Sequence, residues 1–125
     1  MNSKVFLTNN PLVRETFPAK AEYIETTTLS LLEKAMEYVL AGWQLVLGPL
    51  PPNVALIKSP YRTLVIERGK SEEVSAKDVM LLEKVIGKTR DLGTREISGE
   101  SEKLHKDYAY MDLDHLRNAL GEDCR

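Results

Sequence analysis

The sequence predicts an α/β fold: a single compact domain in which helices flank a small, mostly parallel sheet. Its 125 residues are the length of one ordinary domain, and a hydrophobic content of 42% is enough for a packed core without disulfides or metals. A helix-periodic segment lies between strand-like segments, and this order favours a right-handed crossover between parallel strands. Because no repeat or linker-like tract divides the sequence, we interpret residues 1–125 as one domain.

The first predicted elements are two strands. Residues 4–8 are rich in β-formers, and the Asn9-Asn10-Pro11 that follows favours a turn and cannot continue a central strand. Residues 23–25, Tyr-Ile-Glu, are a weaker candidate for the second strand. The three threonines after them supply hydroxyls that can cap a helix.

The clearest helix covers residues 29–41. Its apolar residues recur at spacings of three and four, and Gly42 stands where a helix commonly ends. Residues 43–47, Trp-Gln-Leu-Val-Leu, then predict a buried strand, because apolar and β-branched residues run together between two glycines.

The middle of the chain combines an irregular loop with a further strand and helix. The prolines in residues 48–60 exclude a helix or a central strand and leave room for a short strand or turn at residues 54–57. Residues 61–67 resume a strand pattern. Ser75 and Asp78 have the spacing of a capping box, and they precede a helix that we expect to end at Gly93.

The C-terminal part is mostly polar at first and helix-periodic later. Residues 94–110 have the composition of a mobile loop. Asp112 is then placed to cap a short helix whose leucines lie on one side and which ends at Gly121. We expect residues 122–125 to be a frayed tail.

Charge and composition exclude several classes of protein. Lys and Arg total 17 against 19 Asp and Glu, and the net charge of -2 is far from the basic surface of a nucleic-acid-binding protein. No apolar run approaches the roughly 20 residues of a membrane span. The first residues do not resemble a secretion signal, so we expect a cytoplasmic protein. A single cysteine, Cys124, excludes an intramolecular disulfide.

The common catalytic templates do not occur in the sequence. There is no Gly-rich phosphate loop, no Gly-x-Ser-x-Gly and no Cys-x-x-Cys. His105 and His115 lack the ligand spacing of a metal site, and we expect a solvated, charged segment around them. We therefore predict no metal and no cofactor. A non-enzymatic role is favoured, with enzymatic activity left open.

One polarised region predicts a binding site for a small anion. Residues 5–13 carry no charge, and residues 38–66 contain no acidic residue, only Lys58 and Arg62. Ligands of open parallel sheets bind at the carboxyl ends of strands. If the first and third strands are parallel neighbours, Asn9 and Asn10 face the loop that holds Lys58. Together with Arg62 they would form a neutral-to-positive crevice for a phosphate or carboxylate.

Each candidate residue also has a structural interpretation. Asn9 and Asn10 suit the backbone of a turn. Lys58 and Arg62 equally fit solvated charges that protect an edge strand from aggregation. Tyr61 can stack on a ligand, but at a Pro-Tyr junction its ring is more often packed against the core.

Four short pieces of the sequence resemble the GrdX family. They are Thr8-Asn9-Asn10-Pro11-Leu12-Val13, Tyr23-Ile24-Glu25, Gly48-Pro49-Leu50 and Ser59-Pro60-Tyr61-Arg62-Thr63-Leu64, in the family's order. The resemblance covers residues 4–67 and the following helix. It implies a small cytoplasmic protein encoded with glycine, sarcosine and betaine reductase components. The family brings no established biochemical role and no catalytic residues to assign.

These observations support three hypotheses. The first is a non-enzymatic accessory protein that binds a component of the glycine reductase system or a small anionic metabolite. The second is a small-anion-binding protein or enzyme that uses the crevice of Asn9, Asn10, Lys58, Tyr61 and Arg62. The third is a structural homo-oligomer, which would need an exposed apolar patch.

Overall fold

The computed structural model describes residues 4–47, 60–68, 73–92 and 102–121, which form a four-stranded sheet with helices on both faces. The elements in chain order are β1 (Lys4–Thr8), α1 (Pro11–Thr16), β2 (Ala21–Tyr23), α2 (Thr28–Leu40), β3 (Trp43–Leu47), β4 (Thr63–Arg68), α3 (Ala76–Leu92) and α4 (Glu102–Leu120). The α/β class predicted from the sequence is confirmed.

The sheet is mixed, so the prediction of a mostly parallel sheet is wrong. Its order is β2-β1-β4-β3. β1 pairs with β2 in parallel, whereas β4 lies antiparallel to both β1 and β3. β4 is central, and its apolar residues at positions 64–66 are fully buried. A continuous apolar run indicates burial on both faces but carries no information about strand direction, which is why the sequence did not reveal this arrangement.

The alternation of side chains along β1 and β4 divides the core into two layers. Leu7 pairs with Leu64, and Phe6 pairs with Val65. Since successive side chains of a strand point to opposite faces, the two pairs face different helices. The larger cluster packs against α2 and α3 and includes Leu7, Leu31, Leu32, Ala35, Val39, Leu64, Leu82, Val85 and Ile86. The smaller packs against α1 and α4 and includes Phe6, Val13, Val65, Leu113 and Leu116.

Capping residues mark both ends of α2 and the start of α1. Thr27 caps α2 by accepting a hydrogen bond from the Ser30 backbone, and the helix is followed by Gly42 at φ 103°. α1 was not predicted: Asn10 is its N-cap and Pro11 its first residue. Proline fits the first turn of a helix because the N–H it lacks would have had no intrahelical partner there. β2 ends at Tyr23, where the predicted second strand began.

The capping box predicted for α3 is formed only in part. The Asp78 backbone donates a hydrogen bond to the Ser75 hydroxyl, as expected of a cap. The Asp78 carboxylate, however, accepts a hydrogen bond of 3.0 Å from the backbone N–H of Leu45 in β3. This contact ties the start of α3 to the outer strand of the sheet.

The C-terminal part of the described chain is one helix of 19 residues. Residues 102–110, predicted as part of a mobile loop, belong to α4, and Asp112 lies within the helix rather than at its cap. Burial of Ala109, Leu113 and Leu116 fixes the helix against the sheet, and its polar first turns extend from that anchor. The predicted segments at residues 54–57, 94–101 and 122–125, as well as Gly93, lie outside the described residues.

Among the described residues, no helix is long and apolar enough to cross a membrane.

Candidate functional site

The candidate site lies at the edge of the sheet where β1 ends and β4 begins. β1 and β3 are both antiparallel to β4, so they run in the same direction and their carboxyl ends reach the same edge. They are not neighbours, however, because β4 lies between them. The cross-strand pair Thr8–Thr63 is the last pair of β1 with β4 at this edge. We call the residues around it, Thr8, Asn9, Asn10, Tyr61, Arg62, Thr63 and Asp112, the polar corner.

Asn9 holds three segments of backbone together. It is 4% exposed, and its side-chain amide donates to the carbonyls of Thr26 at 2.9 Å and Pro60 at 2.8 Å. Its side-chain oxygen accepts a hydrogen bond of 2.8 Å from the backbone N–H of Arg62. Both amide hydrogens of Asn9 are therefore engaged within the chain.

Asn10 connects α1 to α4. Its side chain is fully buried, and its oxygen accepts the Leu12 N–H at 3.0 Å, which caps α1. The amide donates to the Ala109 carbonyl at 2.9 Å and to Asp112 Oδ2 at 3.0 Å. Asn10 thus combines a local capping function with a contact across about a hundred residues of sequence.

A chain of hydroxyl groups leads from β1 to the carboxylate of Asp112. Thr63 donates a hydrogen bond of 2.7 Å to Asp112 Oδ2. The Thr8 and Thr63 hydroxyls form a hydrogen bond of 2.8 Å, and the Thr8 hydroxyl also lies within hydrogen-bond distance, 3.3 Å, of the Arg62 carbonyl. The backbone N–H of Asn10 donates to the Thr8 hydroxyl at 3.0 Å. One carboxylate oxygen therefore accepts two hydrogen bonds, one from Asn10 and one from Thr63.

Two groups of opposite charge lie at the polar corner, the buried Arg62 and the half-buried Asp112. Burial lowers the pKa of Arg62, which is 7% exposed, and the charge of Asp112 opposes that effect. Burial likewise raises the pKa of Asp112, against the hydrogen bonds from Asn10 and Thr63 and the charges of Arg62 and His115. Since each charge favours the ionised form of the other, they compensate part of each other's desolvation.

An aromatic pair lies beside Arg62 in the chain. The rings of Tyr61 and His105 meet edge to face, with centroids 6.3 Å apart at 84°. Both side chains are half-buried. Tyr61 thus packs against α4, and His105 belongs to an ordered helix rather than to the solvated segment expected from the sequence.

Of the predicted binding residues, Asn9, Asn10, Tyr61 and Arg62 are brought together, and Lys58 lies outside the described residues. The sequence did not single out Thr8 and Thr63 as site residues, and it assigned Asp112 to a helix cap. One feature of the sequence could have indicated Asp112. It precedes Leu113, which belongs to the apolar stripe of α4, so it lies next to the buried face of that helix. Its hydrogen-bond partners are about 50 and 100 residues away and carry no local signature.

The chemistry available at the corner is the binding of a carboxylate by an amide, a hydroxyl and a nearby guanidinium. Within residues 4–47, 60–68, 73–92 and 102–121, no group of three or more His, Cys, Asp or Glu side chains could hold a metal ion. Every buried side-chain nitrogen or oxygen in these ranges has a hydrogen-bond partner. The carboxylate held in the described structure is that of Asp112.

The fold and the corner define a small α/β protein whose strand ends are joined by a buried polar network. A family model described as GrdX-like protein matches residues 5–121, nearly the whole chain. The chain belongs to this family. The match includes α4, which the resemblance in the sequence pieces did not cover. Searches of curated proteins and of solved structures gave no match.

Proposed function

We propose that this GrdX-like chain is a non-enzymatic accessory protein of the glycine reductase system, which it serves by binding a reductase component or a small anionic metabolite. The observation that carries the proposal is the family match over residues 5–121. The family resemblance implies an association with glycine, sarcosine and betaine reductase components.

The contacts of the polar corner favour binding over catalysis. A general base or nucleophile must reach its substrate, and its activity depends on a proton or lone pair that the protein leaves available. At the corner, the amide hydrogens of Asn9 and Asn10 and the Thr63 hydroxyl are used to join β1, β4 and α4. Such a network supports a rigid surface for a partner.

A second candidate function is the binding of a small anion at the corner by Asn9, Asn10, Lys58, Tyr61 and Arg62. The specific observation in its favour is the buried Arg62, whose charge lies close enough to the Asp112 carboxylate to influence it. A thermal-shift screen with phosphate, nucleotides and amino acids tests this function. Arg62→Lys keeps the positive charge but loses the planar fork. We expect it to bind the same ligand more weakly, and equal affinity would contradict a role for Arg62.

The accessory function is tested by immobilising the tagged chain and applying purified glycine, sarcosine and betaine reductase components. We expect the native chain to retain at least one component. Tyr61→Ala alters the corner, while Met80→Ala alters an α3 side chain that is 69% exposed in the other helix layer. Loss of retention with Tyr61→Ala alone would place the contact at the corner. Failure of the folded native chain to retain any component would overturn the accessory proposal.

A further inference from the structure

We propose that Asn10, Arg62 and Thr63 form a carboxylate-binding site that Asp112 occupies in the folded chain, and that a small carboxylate binds there in exchange for Asp112. This inference rests on the second candidate function, an anion at the polar corner. It goes further in naming the class of anion, and in giving α4 the role of an internal competitor.

The donors around Asp112 fit a carboxylate. One oxygen accepts hydrogen bonds from Asn10 at 3.0 Å and Thr63 at 2.7 Å, and Arg62 supplies a positive charge nearby. Two neutral donors and one cation match a planar monoanion. A phosphate carries more negative charge and more acceptor oxygens than these groups can satisfy, and burying that excess charge is costly. We therefore expect acetate-like ligands to bind better than phosphate.

The position of Asp112 on α4 makes the exchange feasible. α4 packs on the smaller core through Leu113 and Leu116, while the larger core between the sheet and α2 and α3 contains no α4 residue. Local opening of a helix on a small core costs less than global unfolding. A shift of α4 would remove Asp112 from Asn10 and Thr63 while leaving the larger core intact.

The first test is chemical rescue of Asp112→Ala in the full chain. This variant removes the carboxylate and leaves the donors of Asn10 and Thr63 in place, so we expect a lower Tm than for the native chain. Acetate or formate should restore it. At about ten times its dissociation constant, a ligand shifts the folding equilibrium about eleven-fold, which raises Tm by roughly 4 to 8 °C in a domain of this size. Sodium chloride and inorganic phosphate at equal ionic strength serve as comparisons.

Asp114→Ala is the matched control, because Asp114 is an exposed aspartate on the same helix with a hydrogen bond of 3.3 Å from Asn118. We expect no acetate-specific rise in Tm for it.

Adding Thr63→Val to Asp112→Ala should remove the rescue by acetate. If acetate raises the Tm of both alanine variants equally, or phosphate rescues Asp112→Ala as well as acetate, the carboxylate site is overturned. If Asp112→Ala does not fold in chloride, the same variant is refolded in acetate and then dialysed into chloride, where folding in acetate followed by loss of structure supports the site, and failure to fold in acetate overturns it.

The second test asks whether a carboxylate displaces Asp112 in the native chain. We expect saturating acetate to speed amide hydrogen exchange in α4 while leaving α2 and α3 unchanged. Unchanged amide hydrogen exchange in α4, despite rescue of Asp112→Ala, would overturn the proposal that a carboxylate displaces Asp112.

Retention of a reductase component by the native chain is measured separately, so failure of the carboxylate site and failure of the accessory function are distinguishable. Phosphate binding to the native chain without acetate rescue would overturn the carboxylate class and leave an anion site standing.

Discussion

The hydroxyl of Thr63 donates a hydrogen bond of 2.7 Å to the carboxylate of Asp112, and this contact joins the start of β4 to the middle of α4. The same carboxylate oxygen accepts the side-chain amide of Asn10. Three parts of the chain that are distant in sequence therefore meet at one half-buried acidic group. The stability of the C-terminal helix on the sheet should respond to changes in any of the three residues.

Thr63→Val tests the contribution of this hydrogen bond. Valine has nearly the same shape as threonine but cannot donate, so the half-buried Asp112 carboxylate loses one of its partners. We expect the free energy of unfolding to fall by about 1 to 3 kcal/mol in urea denaturation. Thr89→Val is the matched control, since the Thr89 hydroxyl donates to the Val85 carbonyl of its own helix. A loss no larger than that of the control would contradict the importance of the contact.

Asp112→Asn tests the pH dependence that burial imposes. Burial raises the folded-state pKa of Asp112 above its usual value of 3.8, against the opposing charges of Arg62 and His115. The unfolded chain therefore loses this proton first, and the contribution of Asp112 to stability falls as the pH rises from 3.8 through the folded-state pKa.

Asparagine at position 112 does not titrate, so the stability of the variant relative to the native chain should increase with pH. Urea denaturation from about pH 3.5 to about pH 6 measures this difference. A difference that stays constant or falls with pH would show that Asp112 is not desolvated as the structure indicates. Asp114→Asn, at an exposed position of the same helix, controls for the general effect of removing one acidic charge.

Asn9→Ala should be among the more destabilising single substitutions at the corner. It removes the side-chain partner of the Thr26 carbonyl and of the buried Arg62 N–H, whereas the Pro60 carbonyl keeps the Thr28 hydroxyl at 3.4 Å. Each unreplaced loss costs about 1 to 3 kcal/mol, so we expect a total of about 2 kcal/mol or more. Asn118→Ala removes an asparagine from an exposed position and should change stability by less than about 0.5 kcal/mol. Similar effects of the two substitutions in thermal or urea denaturation would show that the hydrogen bonds of Asn9 do not stabilise the fold.

Gly87→Ala and Gly42→Ala should change stability in opposite directions. A Cβ at Gly87, inside α3, meets no described atom within 4 Å, so alanine should stabilise the helix by about 0.5 to 1 kcal/mol. Gly42 has φ 103°, a conformation that side chains disfavour, and alanine there should destabilise by at least about 1 kcal/mol. A Tm that falls with Gly87→Ala would contradict this prediction.

Local sequence patterns were sufficient for the elements whose signals are complete within a few residues. Residues 4–8 are rich in β-formers and end at a turn, and the helix predicted at residues 29–41 has an apolar stripe and follows a capping hydroxyl, that of Thr27. The absence of acidic residues around Arg62 likewise identified a region that the fold brings to one edge, together with Asn9 and Asn10. In each case the pattern is determined by the period of a single element or by composition, both of which are local.

The tertiary structure alone decided which strand lies between β1 and β3, how far α4 extends and what occupies the polar corner. β4 pairs antiparallel with both β1 and β3, whereas its run of apolar residues is compatible with either direction. The length of α4 depends on the burial of Leu113 and Leu116, which stabilises polar turns that would be marginal alone. Asp112 looks like a surface residue or a cap in the sequence, and it becomes the centre of the corner because packing of α4 brings its carboxylate to Asn10 and Thr63. The sequence by itself thus determined the elements with complete local signals and the region of the polar corner, while contacts between distant residues brought Asp112 into that corner.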